Sequence, residues 1–394
     1  MNATASAELE SQQSSRRVAG IRNVDVYSAL VAISSPGQEI NPALFEGIDW
    51  ERVLSHARHH SLVPLLAHRL LDCRGLHIPA HIRFRLRNDF QSNLVRNFGL
   101  TEEIKRILQA WSDGGIPAIP YKGPVLAEQL WESFALRDCS DLDFLVRRHD
   151  VQRAARTLQE LGYRAESPIA ESLRSALLRN ASEEQFRHSG SNLLLELQWA
   201  PAPRTLAVSF DEEQLWRDRI NISVAGETFN SPSPEDLFAL LAIHGWKHNW
   251  SKLIWISDLL AVMRRYDLDW ARLDRSATRG GWRRILLLAI AMLWRVYGVD
   301  PVFDGATDPG IASLAERLER SLRLAKNHTY LEWHRDMLCA RDSRASQLRQ
   351  LVQFIFTPGL AEYSAARLPA WASAGHRLIR VGRVLKLWPE KART

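Results

Sequence analysis

Cysteine is scarce. The 394-residue chain has three, Cys73, Cys139 and Cys339, widely separated and without a C-x-x-C pair. That spacing excludes a disulfide framework and a zinc knuckle, and it points to a reducing, cytoplasmic compartment. Long apolar runs are missing too. The longest, Ile285 to Trp294, has ten residues, half of the roughly 20 that a membrane-spanning helix needs. The opening MNATASAELESQQSSRR holds no apolar stretch of the kind a secretory signal requires, and residues 1–20 read as a disordered leader. There is no internal repeat and no other low-complexity block.

A broad basic surface is also missing. Net charge is +6, but from Arg377 onward six basic residues (Arg377, Arg380, Arg383, Lys386, Lys391 and Arg393) face a single acid, Glu390, so this tail carries +5. The nearly neutral remainder disfavours nucleic acid as a partner. The basic tail, with Leu378, Ile379, Val381, Val384, Leu385 and Trp388 beside it, fits either a peripheral or protein contact or simple packing on its own domain. What remains is an ordinary globular balance, 46% hydrophobic and 24% charged, with length for two or three cores.

Residues 24–112 read as helices. Val53, Leu54, Ala57, Leu62, Leu65, Leu66 and Leu70 recur at helical spacing after Asp49-Trp50, and a second long pattern covers about 80–112 before Gly114-Gly115. The period then changes. IPAIPY (116–121) is a short strand, Pro124 to Trp131 a helix, and DLDFLV (141–146) a strand. Residues 151–162 form an amphipathic helix closed by Gly162, Tyr163 to Glu166 a possible strand, NLLLELQW (192–199) a strand, and 220–229 a hairpin about Ala225-Gly226. From Ser233-Pro234 the chain turns helical again. The expected class is α+β. A small α/β core over 113–232 is flanked by helical segments over 24–112 and 233–360, with a basic amphipathic tail over 361–394.

The chemistry concentrates in that core. Asp141 and Asp143 stand at i and i+2 of one strand, so their carboxylates share a face about 6.5 Å apart at a rise near 3.3 Å per residue. Such a pair repels unless a cation lies between, and hard oxygen ligands suit Mg²⁺ or Mn²⁺. Two solvated aspartates at a strand mouth would look the same. Eighteen residues upstream of Ser140, the step Lys122-Gly123-Pro124 turns a strand into a helix whose first amides favour an anion. Glu196, a charge inside an otherwise apolar strand, is the candidate third acid, and Gln198 shares its face.

Together these residues resemble the nucleotidyltransferases of the polymerase-β superfamily. The similarity runs from Y-K-G-P-V-L-A through R-D-C-S-D-L-D-F-L-V-R to L-x-x-L-G-Y-R. More narrowly they resemble a bacterial, largely uncharacterised family with a K-G corner, R-x-x-x-D-x-D and a later D-x-H-W strand. The helices around A-R-H-H-S-L-V-P-L-L, H-G-W-K-H-x-W and F-T-P-G-L-A-E-Y extend the likeness over most of the chain. The resemblance implies a polymerase-β-like core and metal-dependent transfer of a nucleoside monophosphate from an NTP to a hydroxyl-type acceptor (small molecule, peptide or protein), with release of pyrophosphate. It further implies a bacterial context.

Carried over by position, Asp141 and Asp143 match the metal-binding pair. Lys122, Gly123 and Ser140 match the phosphate-holding positions, and Arg137 an arginine that holds phosphate or braces a carboxylate. Glu196 stands where the family usually has Asp, and Gln198 where it usually has His. His244 and Lys247, with His248 on one helical face, are candidates to touch the triphosphate or acceptor, and Asp258 to brace those helices. His56, His59 and His60 read as a solvated helix end and its neighbouring core rather than a metal site, and Trp246, Trp250 and Trp255 as packing between helices. Two other readings stay open: a non-catalytic nucleotide- or partner-binding protein that keeps the fold, and an antitoxin-like or peptide-tailoring module.

Overall fold

The structure is a computed structural model that describes residues 25–167, 169–224, 226–365, 368 and 374–385. The leader expected over 1–20 and the tail from Lys386 onward lie outside the described residues.

Three short helices come first: α1 (Val26–Ser34), α2 (Trp50–His59) and α3 (Val63–Leu71). Asp25 and Asp49 cap the first two by accepting from the amides of Tyr27 and Arg52. The apolar spacing continues through 50–71. The chain instead breaks at Ser61, which lies in the left-handed region at φ +57°, and restarts with Pro64 in the first turn of α3. The break buries His60 completely. Its Nδ1 accepts from the Leu253 amide at 3.3 Å, and its Nε2 lies 3.1 Å from the Leu322 carbonyl. Burial drives its pKa down to about 3, so it stays neutral and serves as a pin between helices.

Helix α4 (Ala80–Asp113) has 34 residues and is about 51 Å long at 1.5 Å per residue. It joins two cores. Ile82 and Leu86 lie in a helical core, whereas Leu100, Ile104, Ile107 and Trp111 lie in the core under the sheet.

The α/β unit follows in the order β1 (Ala118–Pro120), α5 (Gly123–Trp131), β2 (Asp141–Val146), α6 (Val151–Glu160), β3 (Tyr163–Ala165), α7 (Arg174–Asn180), β4 (Glu183–His188), β5 (Leu194–Gln198) and α8 (Glu212–Arg217). A separate hairpin, β6 (Ile220–Val224) with β7 (Glu227–Ser231), turns through Gly226 at φ +81°. The main sheet is ordered β1-β2-β5-β4-β3. Only β2 and β5 run parallel, so the sheet is mixed. Strand β4 carries no apolar alternation that sequence reading could find. Of its six residues only Phe186 is a buried hydrophobe, and the other buried position is Glu184, which pairs with Arg174.

The remaining helices are α9 (Pro234–Lys247), α10 (Leu253–Arg265), α11 (Trp270–Gly280), α12 (Arg283–Tyr297), α13 (Pro309–Arg323), α14 (Tyr330–Cys339), α15 (Arg344–Phe356), α16 (Leu360–Ala365) and α17 (Gly375–Val384). Helix α9 starts as its sequence predicts, with the Ser233 hydroxyl accepting from the Asp236 amide and Pro234 in the first turn. Leucines and isoleucines of α1 to α3 share one apolar core with those of α9 to α13. The helices before and after the sheet therefore form a single body beside it, and the architecture is α+β with helices flanking a mixed-sheet core. No described helix is long and apolar enough to cross a membrane.

The turn after α9 explains the H-G-W-K-H-x-W spacing. Asn249 and Trp250 both have positive φ, at +51° and +49°, and fold the Trp250 ring back onto Gly245. A Cβ at Gly245 would sit 2.2 Å from that buried indole. Gly245→Ala is therefore expected to destabilise the protein by about 1–3 kcal/mol through overpacking, read as a lower urea midpoint. An unchanged midpoint would show that Trp250 does not pack there.

Candidate active site

The corner after β1 is set by backbone conformation. Gly123 has φ +60°, in the left-handed region that glycine enters without a Cβ penalty, and Pro124 then opens α5. Lys122 precedes the helix as its N-cap residue, and Ser140 lies exposed one residue before β2. The parallel pairing of β2 with β5 sets Asp143 directly opposite Glu196, with Asp141 opposite Leu194. Acids from two strands thus meet on one face, while Leu142, Phe144, Leu195 and Leu197 fill the core beneath.

A hydrogen-bond network joins them. The Gln198 Nε2 amine donates to Asp143 Oδ1 at 2.8 Å and to Glu196 Oε2 at 2.9 Å. Gln198 Oε1 accepts from the Tyr121 hydroxyl. The opposite amide orientation would aim an oxygen at two carboxylates, so the network itself selects this one. Gln185 on β4 donates to Glu196 Oε1 at 3.0 Å. Lys122 does not reach outward; its Nζ donates to Asp143 Oδ1 at 2.7 Å, with the lysine 8% exposed. Burial would lower the Lys122 pKa, but the Asp143 charge, with Tyr121 and Glu196, more than reverses this and holds it above its ordinary value. Burial, then Asp143 and Glu183, pushes Glu196 up to about 7. Asp141 is raised as well, first by burial and then by Asp143.

Arg137 Nε lies 3.2 Å from Oδ2 of the fully buried Asp258. Trp131 Nε1 donates to the other Asp258 oxygen at 3.3 Å. The segment before β2 is tied to α4 by Asn93 and Asn97, whose amides donate to the carbonyls of Phe134, Ala135 and Arg137. Lys247 pairs with Glu183 at 3.2 Å, and Glu183 lies opposite Gln198 on β4. His244 and His248 pack against each other and Trp255. Burial first, then Lys122, holds His244 well below its usual range. His248, although exposed, is also lowered, by its packing and then by Lys247. The His244 ring is therefore neutral near pH 7.

Sequence reading missed the parts of this network supplied by β4, Glu183 and Gln185, because that strand has no apolar signature. Their period-2 spacing, Glu183 and Gln185, was the available signal. It also assigned no role to the Tyr121 hydroxyl.

Among the described residues, no three His, Cys, Asp or Glu side chains stand together as a ready-made metal cluster. Lys122 and Gln198 occupy Asp143 instead. The donor set nonetheless fits a hard divalent cation in kind: Asp141, Asp143 and Glu196 are oxygen donors, and Asp143 and Glu196 face each other across the parallel β2–β5 register. A stability effect follows from Glu196. Its folded pKa lies above the ordinary carboxylate value, so folding favours its protonated form. That contribution is complete below the ordinary range and lost as pH rises through about 7. Metal-free protein is expected to show a falling Tm between about pH 5 and pH 8, and Glu196→Gln to flatten that fall. Identical slopes for the two proteins would remove Glu196 as the source.

No curated protein and no solved structure matches the chain. Residues 46–298 match the family model of the uncharacterised nucleotidyltransferases. That span takes in the K-G corner, the whole sheet, the carboxylate network and the α9 and α10 helices behind it, and so the chain belongs to the uncharacterised nucleotidyltransferase family.

Proposed function

We propose that the protein transfers a nucleoside monophosphate from an NTP to a hydroxyl-type acceptor and releases pyrophosphate. The observation that carries this reading is the register of β2 against β5, which sets Asp143 beside Glu196 within one hydrogen-bonded network at a glycine corner. Asp141, Asp143 and Glu196 would hold Mg²⁺ or Mn²⁺, which when bound supplies charge neutralisation at the phosphates. The acceptor oxygen bonds to the α-phosphorus, the bond from that phosphorus to the bridging oxygen of the β-phosphate breaks, and pyrophosphate leaves with that oxygen. Glu196 would also help to accept the acceptor's proton. The backbone amides at the start of α5 and Ser140 hold phosphate. Lys122, paired with Asp143 here, would add its charge there. His244 and Lys247 would touch the triphosphate or the acceptor.

The test is incubation of the full chain with each NTP and Mg²⁺ or Mn²⁺, reading mass shifts on the protein and on lysate components. A shift that needs metal and disappears in Asp143→Asn supports transfer. The Lys122–Asp143 ion pair, which already neutralises one acid, favours a second reading, a nucleotide-binding protein without turnover. Saturable NTP binding with no mass shift under any metal would establish that reading instead.

A further inference from the structure

Two arginines of helix α17 turn against the usual orientation, although His376 and Ile379 lie buried beside them. A basic helix on a soluble protein ordinarily points arginines outward and leucines inward. Here Arg380 and Arg383 point inward, 3.4 and 3.3 Å from Oε1 of Glu362, which is 1% exposed. Arg380 also donates to the Phe354 carbonyl at 2.9 Å and lies over the Phe354 ring. The outward side carries Leu378, 76% exposed, beside exposed Arg377, and Leu385, just past the helix end, is 60% exposed, while Ile379 stays buried. Helix α15, packed alongside, exposes Leu348, Leu351, Val352 and Phe356. On that helix these residues follow the i, i+3, i+4, i+8 spacing of one face.

Charge sets this region apart. Residues 344–394 hold nine basic residues and two acids, a net +7, while the other 343 residues sum to −1. The only acid between 344 and 385 is Glu362, buried under the arginines. Arg344 and Arg377 are exposed at the rim. The face therefore presents apolar side chains edged by positive charge, with no exposed acid from Arg344 to Leu385.

We propose that the face of α15 and α17 docks on an anionic lipid surface. Leu348, Val352, Phe356, Leu378 and Leu385 enter the headgroup–acyl boundary, and Arg344 and Arg377 meet lipid phosphates. Apolar burial and basic charge are the two signals that reversible membrane attachment requires together. A second copy of the chain is the poorer occupant, because a two-fold contact would press two +7 segments together.

The experiment is sedimentation of the full chain with phosphatidylcholine vesicles containing about one-third phosphatidylserine, against pure phosphatidylcholine. Binding is expected to the anionic vesicles only, and to weaken as salt rises. Val352→Asp with Leu378→Asp is expected to weaken it at least about tenfold, with the wild-type melting temperature retained. Arg344→Gln with Arg377→Gln, which leaves the apolar face intact, is expected to lessen the salt dependence. Equal binding to neutral vesicles, or none to anionic ones, would overturn the proposal. If the aspartate pair lowers the melting temperature and vesicles do not bind, the face is covered by the chain itself; concentration-dependent dimers without vesicle binding would assign it to a second copy. Vesicle binding needs no nucleotide, so its outcome is independent of the transfer assay.

Discussion

Asp143→Asn is expected to abolish metal-dependent transfer and also to destabilise the fold, and adding Lys122→Met should restore the stability without the activity. The reason is the buried Lys122–Asp143 pair, whose side chains are 8% and 5% exposed. Removing only the acid leaves the ammonium without a counter-charge, at a cost of about 3–5 kcal/mol for a broken buried pair. Asparagine still offers an oxygen, but not the negative charge. Replacing both partners by uncharged groups of similar size is often close to neutral. Activity behaves differently, since Asp143 is a proposed metal ligand as well as the lysine's partner. Losing a residue that merely orients a ligand costs about 10–100-fold, so loss of the ligand itself should exceed about 100-fold and persist in the double variant. Urea midpoints and the mass-shift assay on wild type, both single variants and the double variant give the complete cycle. Transfer that survives in the double variant would exclude Asp143 from the reaction. Equal stability across all four proteins would mean the ion pair does not form.

The second large effect is expected at Asp258→Ala. Asp258 is fully buried and touches Arg137 and Trp131 from α10, far from the D-x-D strand in sequence. Alanine would strand the Arg137 guanidinium, itself 8% exposed, and free the Trp131 indole N–H. A loss of about 3–5 kcal/mol is expected, measured by urea denaturation. Arg137→Met with Asp258→Leu should recover most of it. Because Arg137 stands four residues before Asp141, Asp258→Ala should also loosen the segment entering β2, seen as faster amide exchange at 133–140. A variant that melts like wild type, with unchanged exchange, would show that the pair holds nothing.

Much of this architecture is written in short stretches of sequence. The D-x-D strand, the glycine corner, the Ser233-Pro234 helix start and the long α4 each rest on residues within a few positions of one another. The left-handed Gly123, the cap at Ser233 and the apolar period of α4 act through the local backbone, and local signals survive without tertiary context. The break at Ser61 is less visible, since the apolar spacing runs straight through it and only the burial of His60 against Leu253 and Leu322 requires it.

The sequence by itself determined the class of fold, the carboxylate pair and its strand, and the excess of positive charge at the C-terminal end. Tertiary structure alone decided that Lys122 neutralises Asp143 across 21 positions, that Arg137 answers Asp258 across 121, and that β4 enters the sheet with a polar face to supply Gln185. It likewise turned Arg380 and Arg383 inward onto Glu362 and left leucines outside. The physical reason is common to all four. A buried charge must find a partner, and the identity of that partner depends on which distant elements the two cores bring together, something no local spacing encodes.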